Sequence, residues 1–271
     1  MAPTLAIPFI VLLVLLSLAI LAWVFIPTFQ GRAAAERAVG SHRLAIGAVL
    51  CVLILNGLLT LPIAPFLHLE SGLTTSTFVI AAGATQIPML LIVWLRLVRP
   101  GVMTWADLGL RGRPLDYVVA YGFGAGIFGL IVIQLVGTAL TQVGLRPNQL
   151  EQFNFVLKEG PASFALLLLS AGIAAPFAEE LFFRGFLFGT YRRTKPLWMA
   201  YGASSLMFTL LHLEPNRMNP AQMAGLSVGI FILATLLAWV YERTDSLYPG
   251  MLAHALNNAT GLILFYTIGM R

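Results

Sequence analysis

The sequence predicts an all-α, multi-pass transmembrane helical bundle of about eight crossings. Three observations do so: an apolar fraction that no soluble domain carries, apolar runs long enough to span a bilayer, and basic residues gathered in alternate loops. Of 271 residues, 59% are hydrophobic and 10% are charged, and the mean hydropathy is +0.88. A soluble domain carries roughly a quarter charged residues to wet its surface. No stretch outside the apolar runs is long enough for a separate core, so 1–271 reads as a single membrane-embedded domain. A formal charge of +5 and a pI near 9.7 would suit nucleic acid. The arginines, however, are scattered through short loops without an aromatic-interleaved stripe, so the expected partner is the lipid bilayer and not nucleic acid. Cys51, the one cysteine, sits inside an apolar run, which excludes an internal disulfide and a cysteine-based zinc site.

A helix needs roughly 20 residues to cross a hydrocarbon core of about 30 Å. Runs 4–27, 44–67, 75–98, 115–143, 161–190, 197–213, 220–241 and 247–269 meet or approach that length. The first lacks a basic n-region and exceeds a signal-peptide core, so it is expected to stay as a membrane helix. Between the third and fourth runs, Pro100–Pro114 carries Trp105, Leu108 and Leu110 among Arg and Asp, a composition that suits a short interfacial helix or a plain loop. Gly122, Gly124 and Gly126, and the pair Gly225 and Gly229, offer small faces on which helices approach closely. No strand precedes them, so they are not a cofactor-binding glycine motif.

The loop charges alternate. Arg32, Arg37 and Arg43 follow the first run, Arg96, Arg99, Arg111 and Arg113 bracket the third connection, Arg192, Arg193 and Lys195 fill the fifth, and Arg243 sits in the seventh. The intervening loops carry His68 and Glu70, then Arg146 and Lys158 beside Glu151 and Glu159, then Glu214 and Arg217. A multi-pass protein of the plasma membrane with both termini outside satisfies the positive-inside rule at every loop.

An ionisable side chain at membrane depth costs about 2.5–3.5 kcal/mol and asks for a reason. Glu179, Glu180, His212 and His254 carry that cost, with Arg184 and Asn258 nearby. Glu180 and Arg184 are spaced for a salt bridge, while Glu179 is turned about 100° away from Glu180. Glu180 with Arg184 is therefore expected to support the site, and Glu179, free of the cation, to act as general base. If the fifth and sixth runs are antiparallel, Glu179 and His212 lie equally far from the turn at Arg192–Pro196 and so stand level. His254 and Asn258 share one helix face. His212 lies close to Pro215, which would bring it near the outer surface unless the sixth crossing begins late or 214–220 dips into the membrane. Phe208, one turn before His212, walls the pocket or packs, and Asn257 is a second candidate for the donor role of Asn258.

Three readings stay open on these residues. The first is an intramembrane glutamate-dependent endopeptidase, which needs no covalent nucleophile, cofactor or metal. The second is a zinc hydrolase with Glu179, His212 and His254 as a His₂Glu ligand set, although no HExxH occurs. The third is a scaffold or small transporter whose buried carboxylates serve structure or proton coupling.

Glu179-Glu180-x-x-x-Arg184, Phe208-x-x-x-His212 and His254-x-x-x-Asn258, in that order on three late helices, resemble the motifs of the CAAX-protease and bacteriocin-processing family, also called the Abi family. The resemblance covers approximately 160–265. The family is similar in fold to the type II CAAX prenyl endopeptidase, an all-helical eight-crossing membrane protein. The resemblance implies a membrane endopeptidase in which Glu179 with His212 activates a water and His254 with Asn258 stabilises the oxyanion. It implies a peptide or protein substrate at the membrane, CAAX-type and prenylated in the type II enzyme.

Overall fold

The computed structural model describes residues 15–26, 29–61, 74–145, 150–213 and 218–270. His68, Glu70, Arg146, Glu214, Arg217, the side chain of Glu151 and the first run before residue 15 lie outside the described residues. The chain is all-α, with no strand among the described residues. Its helices are α1 (Leu15–Ile26), α2 (Arg32–Ala38), α3 (His42–Thr60), α4 (Thr75–Val98), α5 (Leu115–Gln142), α6 (Phe155–Glu159), α7 (Pro161–Thr194), α8 (Leu197–Leu211), α9 (Pro220–Thr244) and α10 (Leu247–Gly269). A 3-10 turn, Leu150–Phe153, precedes α6. Of these helices, α3, α4, α5, α7 and α9 are long and apolar enough to cross a membrane, while α1 and α8 are apolar but shorter. Helix α10 runs for 23 residues and carries His254, Asn257 and Asn258. The chain is a multi-pass membrane bundle.

Local chemistry sets the helix ends. Ser41 accepts from the Leu44 amide at the start of α3, and Thr74 with Thr77 forms a capping box at α4. Asn219 and Gln222 form another at α9, with Pro220 in the first turn, where its missing N–H costs nothing. Asp245 takes the left-handed conformation, φ 51°, that stops α9.

Pro100–Pro114 forms turns, so the interfacial-helix alternative falls and the loop stands. Thr104 and Asp107 bond reciprocally, as at a helix N-terminus, the Asp107 carboxylate accepting from the Thr104 amide at 2.8 Å and hydroxyl at 2.7 Å and the Asp107 amide donating to Thr104 Oγ1 at 3.1 Å, but Gly109 at φ 96° ends the winding within a turn. The same bonds hold Asp107 below the usual carboxylate range. The loop is a plug. Leu108 is buried, its carbonyl lies 2.7 Å from where a Cβ on Gly185 would stand, and the carbonyl of Gly109 accepts from the Leu247 amide at 2.9 Å.

The four basic connections meet at one end of the bundle. Arg111 pairs with Asp245 at 2.7 Å, Arg113 donates to the Thr244 carbonyl at 3.0 Å, His42 bonds the Tyr191 hydroxyl at 2.7 Å, and Thr194 donates to the Gly40 carbonyl at 3.3 Å. The opposite end is tied by Glu159, which accepts from the Thr75 hydroxyl at 2.6 Å and the Ser163 hydroxyl at 2.7 Å. Those hydrogen bonds hold Glu159 below its ordinary range.

Glycine faces behave in two ways. A Cβ on Gly122 or Gly126 would stand 2.7 Å from Leu252 or Leu256, so these residues let α10 lie against α5. At Gly124 and Gly229 a Cβ would meet nothing within 4 Å. Those two border open grooves rather than a neighbouring helix. The shared placement of the basic loops makes a topological expectation: single cysteines at Arg37, Arg111 and Lys195, in a Cys51→Ala background, should react with a membrane-impermeant maleimide from the cytoplasmic side alone. Labelling of any one from outside overturns that orientation.

Candidate active site

Helix α7 is not uniformly wound. Leu168–Ala174 and Leu181–Phe188 are π-helical, with an α-turn, Ala175–Glu180, between them. Pro176 supplies a physical reason for the first stretch. In a π register the Ala171 carbonyl looks five residues ahead for its donor, and Pro176 has no N–H to give. The Asn258 amide donates to that carbonyl instead, at 2.9 Å. One N–H of Asn258 is thereby committed and the other is left for a ligand.

Glu180 lies at the centre of a buried charge cluster. Its Oε1 stands 3.1 Å from Arg184 Nη1 and accepts from His254 Nδ1 at 2.9 Å, and none of the three side chains is more than 3% exposed. Arg184 also donates to the Ala234 carbonyl of α9 at 3.1 Å, and its guanidinium sits 4.5 Å over the Phe208 ring of α8. The Arg184 partner of Glu180 is as the helical spacing indicates. The His254 bond is an addition that spacing within one helix does not reveal.

Glu179 faces away from this cluster. Its Oε2 is 3.8 Å from His212 Nε2 and 3.8 Å from His254 Nε2. Those separations are too long for direct hydrogen bonds and short enough for one water to touch carboxylate and imidazole together. The histidine tautomers follow from the outer nitrogens. His212 Nδ1 lies 2.8 Å from the Phe208 carbonyl, which only accepts, so Nδ1 carries the proton. His254 Nδ1 donates to the Glu180 carboxylate in the same way. Both Nε2 atoms are thus turned toward Glu179. Phe208 walls and packs at once, its ring 4.3 Å from His212, 5.7 Å from His254 and 4.9 Å from Phe183. His212 caps α8 and is half-buried, which locates it at the end of a short helix; most of the 214–220 segment lies outside the described residues.

Glu179, His212, His254 and Asn258 all line one cavity of about 280 Å³. Asn257 does not: its amide donates to the Gly126 carbonyl at 3.1 Å and the Ala253 carbonyl at 2.9 Å, strapping α10 to α5. Gln86 of α4 also lines the cavity, and no acid or histidine in its own run marks it. Its signal was an amide in an apolar run, which carries a desolvation cost of its own. No group of three His, Cys, Asp or Glu among the described residues is arranged to hold a metal ion. Two ligands of one tetrahedral zinc lie about 3.3–3.6 Å apart, given bonds of about 2.0–2.2 Å, and the 3.8 Å spacings here are wider.

The division between the acids makes an expectation about stability. Glu180→Gln leaves Arg184 buried without its anion and should cost about 3–5 kcal/mol, read as a lower unfolding midpoint in detergent, whereas Glu179→Gln should leave the midpoint nearly unchanged. The reverse order would exchange the two assignments.

Residues 161–260 match the family model described as type II CAAX prenyl endopeptidase Rce1-like. Among curated proteins, the uncharacterized protein YyaK of Bacillus subtilis (strain 168) is 32% identical over 149 residues, 52% of this chain and 45% of that protein. The UPF0177 protein YxdF of Lactococcus lactis subsp. lactis (strain IL1403) is 29% identical over 93 residues, 33% of this chain and 45% of that protein. The chain thus spans less than half the length of these relatives. No solved structure matches it. The matched segment begins where α7 begins and holds every residue of the three motifs, so the similarity to the type II CAAX prenyl endopeptidase Rce1-like model covers the part of the chain that carries Glu179, His212, His254 and Asn258.

Proposed function

We propose that the protein is an intramembrane, glutamate-dependent endopeptidase of the plasma membrane, acting on a membrane-associated peptide or protein. The observation that carries this reading is a buried carboxylate oxygen, Glu179 Oε2, flanked at 3.8 Å by the Nε2 atoms of two histidines in one cavity. A CAAX-type chain end, prenylated, is the substrate that the Rce1-like segment implies.

The chemistry runs through these side chains without a covalent intermediate. A water held between Glu179 and His212 gives its proton to the Glu179 carboxylate as its oxygen bonds the scissile carbonyl carbon. The carbonyl π electrons move to oxygen, and the resulting oxyanion faces His254 and the uncommitted N–H of Asn258. Collapse breaks the C–N bond, and the proton on Glu179 passes to the leaving amine. His254 donates through Nε2 only as an imidazolium, because its Nδ1 proton is already given to Glu180. The Glu180 carboxylate is the counter-charge for that form, so Glu180 serves the site through His254 as well as through Arg184.

Hydrolysis of a membrane peptide by purified protein tests the reading. Glu179→Gln should abolish it; cleavage that persists in that variant removes Glu179 from the role of base, and the absence of any cleavage by the unaltered protein returns it to the scaffold or transporter class. On the acid side of its pH profile the rate should fall as Glu179 takes up a proton, since a carboxylic acid cannot take a proton from water. His254→Ala and Asn258→Ala should each slow turnover by about 10²–10³-fold as lost oxyanion donors, with KM little changed. Millimolar chelator should leave the rate as it was. If chelation silences the enzyme and zinc restores it, a His₂Glu zinc site replaces the glutamate-only mechanism.

A further inference from the structure

The cavity that holds Glu179 is set toward one end of the bundle. Helices α4, α7, α8, α9 and α10 each have one end among the basic loops, at Val98, Thr194, Leu197, Thr244 and Leu247. The cavity takes its lining from the middle of these helices and from their other ends. On α4 the lining residues fall between Phe78 and Gln86, in the half that begins at Thr75, and on α8 they fall between Phe208 and His212, at its last turn. Leu150 and Phe153 join them from the connection that follows the far end of α5. An adjoining groove, of about 700 Å³, meets the cavity at Leu150, Ile230, Leu233 and Asn258. It runs the same way, along α5 from Leu130 to Leu140 and along α10 from Asn257 to Gly269.

The half nearer the basic loops is solid. Every α7 residue from Leu181 to Phe188 is buried, and none of them lines the cavity or the groove. From Phe208, on the cavity wall, rings step into that half in edge contact: Phe183 at 4.9 Å, Phe182 at 5.1 Å from Phe183, and Phe186 at 5.4 Å from Phe182. Leu108 of the 100–114 loop is fully buried behind them, with its carbonyl close against Gly185. The cluster of Glu180, Arg184 and His254 closes the same side, with none of its side chains more than 3% exposed. A protein core packs as densely as an organic crystal and leaves few voids larger than a water molecule. A water or a chain arriving from the basic end would have to unpack these rings.

Hydrolysis needs both at Glu179. It consumes a water at each turnover, and the scissile bond must lie beside that water. Both therefore come from the half that the cavity occupies. Because Lys and Arg collect in cytoplasmic loops, that half is the outer one.

We infer that the site is served from the outer side of the membrane, and that the substrate is a membrane-associated chain whose cut segment lies in the outer leaflet or outside it. This rests on the endopeptidase reading and on the orientation given by the basic loops. It narrows the substrate class: a CAAX-type chain end displayed at the cytoplasmic surface stands on the plugged side, across the aromatic core from Glu179.

Two measurements test the inference, one of them independent of hydrolysis. In a Cys51→Ala background, Ala82→Cys and Leu211→Cys place a thiol in the cavity lining, and Lys195→Cys marks the basic end. In membrane vesicles of known orientation, a small charged methanethiosulfonate should modify the two cavity cysteines from the outer face and not from the cytoplasmic face, and Lys195→Cys the other way about. Modification of either cavity cysteine from the cytoplasmic face, or from neither face, overturns the inference. Hydrolysis is read in sealed proteoliposomes sorted by orientation, with a membrane-impermeant fluorogenic peptide outside. Those that expose the outer face should cleave it, and those that expose the cytoplasmic face should do so only after detergent. Cleavage by the latter while sealed overturns the inference. No cleavage by either, detergent included, removes the endopeptidase reading, and the cysteine result then decides by itself which side the cavity faces.

Discussion

The buried carboxylate of Glu180 is the constraint on which the site depends. A charge at membrane depth is tolerable only when paired and hydrogen-bonded, and one Glu180 oxygen meets both Arg184 and His254. The helices are consequently locked to one another. Arg184 reaches the α9 backbone and the Phe208 face on α8, and His254 brings in α10. Even the backbone of α10 answers to this carboxylate: a Cβ on Gly250 would stand 3.3 Å from Glu180 Oε2, tighter than most side chains accept. With Arg184 paired to Glu180, the neighbouring Glu179 stands beside the two imidazoles.

Adjacent residues on a regular helix point about 100° apart, which separates the two acids but does not by itself aim either. The unusual winding of α7 does the aiming. Two π-helical stretches flank the turn that bears the acids, and the first ends against Pro176, whose missing N–H leaves the Ala171 carbonyl to Asn258. One proline thus links the path of α7 to the position of an amide on α10. Asn258 is a structural strap through one hydrogen and a candidate oxyanion donor through the other.

The sequence made the bundle and the polar residues of the site legible for one reason: ionisable groups in apolar runs are expensive, so the few that occur stand out. Glu179, His212 and His254 stand out that way, Asn258 follows from the helix face it shares with His254, and the turn at Arg192–Pro196 sets the first two level. What stayed hidden depends on atoms from more than one element. Helical spacing pairs Glu180 with Arg184 but is silent on His254, which arrives from a different helix. The loop at Pro100–Pro114 has a composition that suits an interfacial helix or a plain loop, and the positive φ of Gly109 with the close approach to Gly185 decides its shape. Glycines look alike in sequence, although Gly126 is filled by Leu256 and Gly229 opens on a cavity. Gln86 escaped because no acid or histidine shares its run to mark it.

The two consecutive acids therefore solve a problem that one could not. The carboxylate that holds the helices together is tied through one oxygen to a cation and an imidazole, and such charge pairing lowers its basicity toward water. A carboxylate that accepts a proton from water must keep an oxygen uncommitted, and such a group at membrane depth contributes no cohesion. Placing both on successive residues of a helix gives each a different set of neighbours at almost no cost in space. His254 joins the two, with Nδ1 bound to the structural acid and Nε2 turned toward the other. Through that imidazole the charge that stabilises the bundle also sets which nitrogen is presented to the cavity, so the stability of the fold and the chemistry of the site share one side chain.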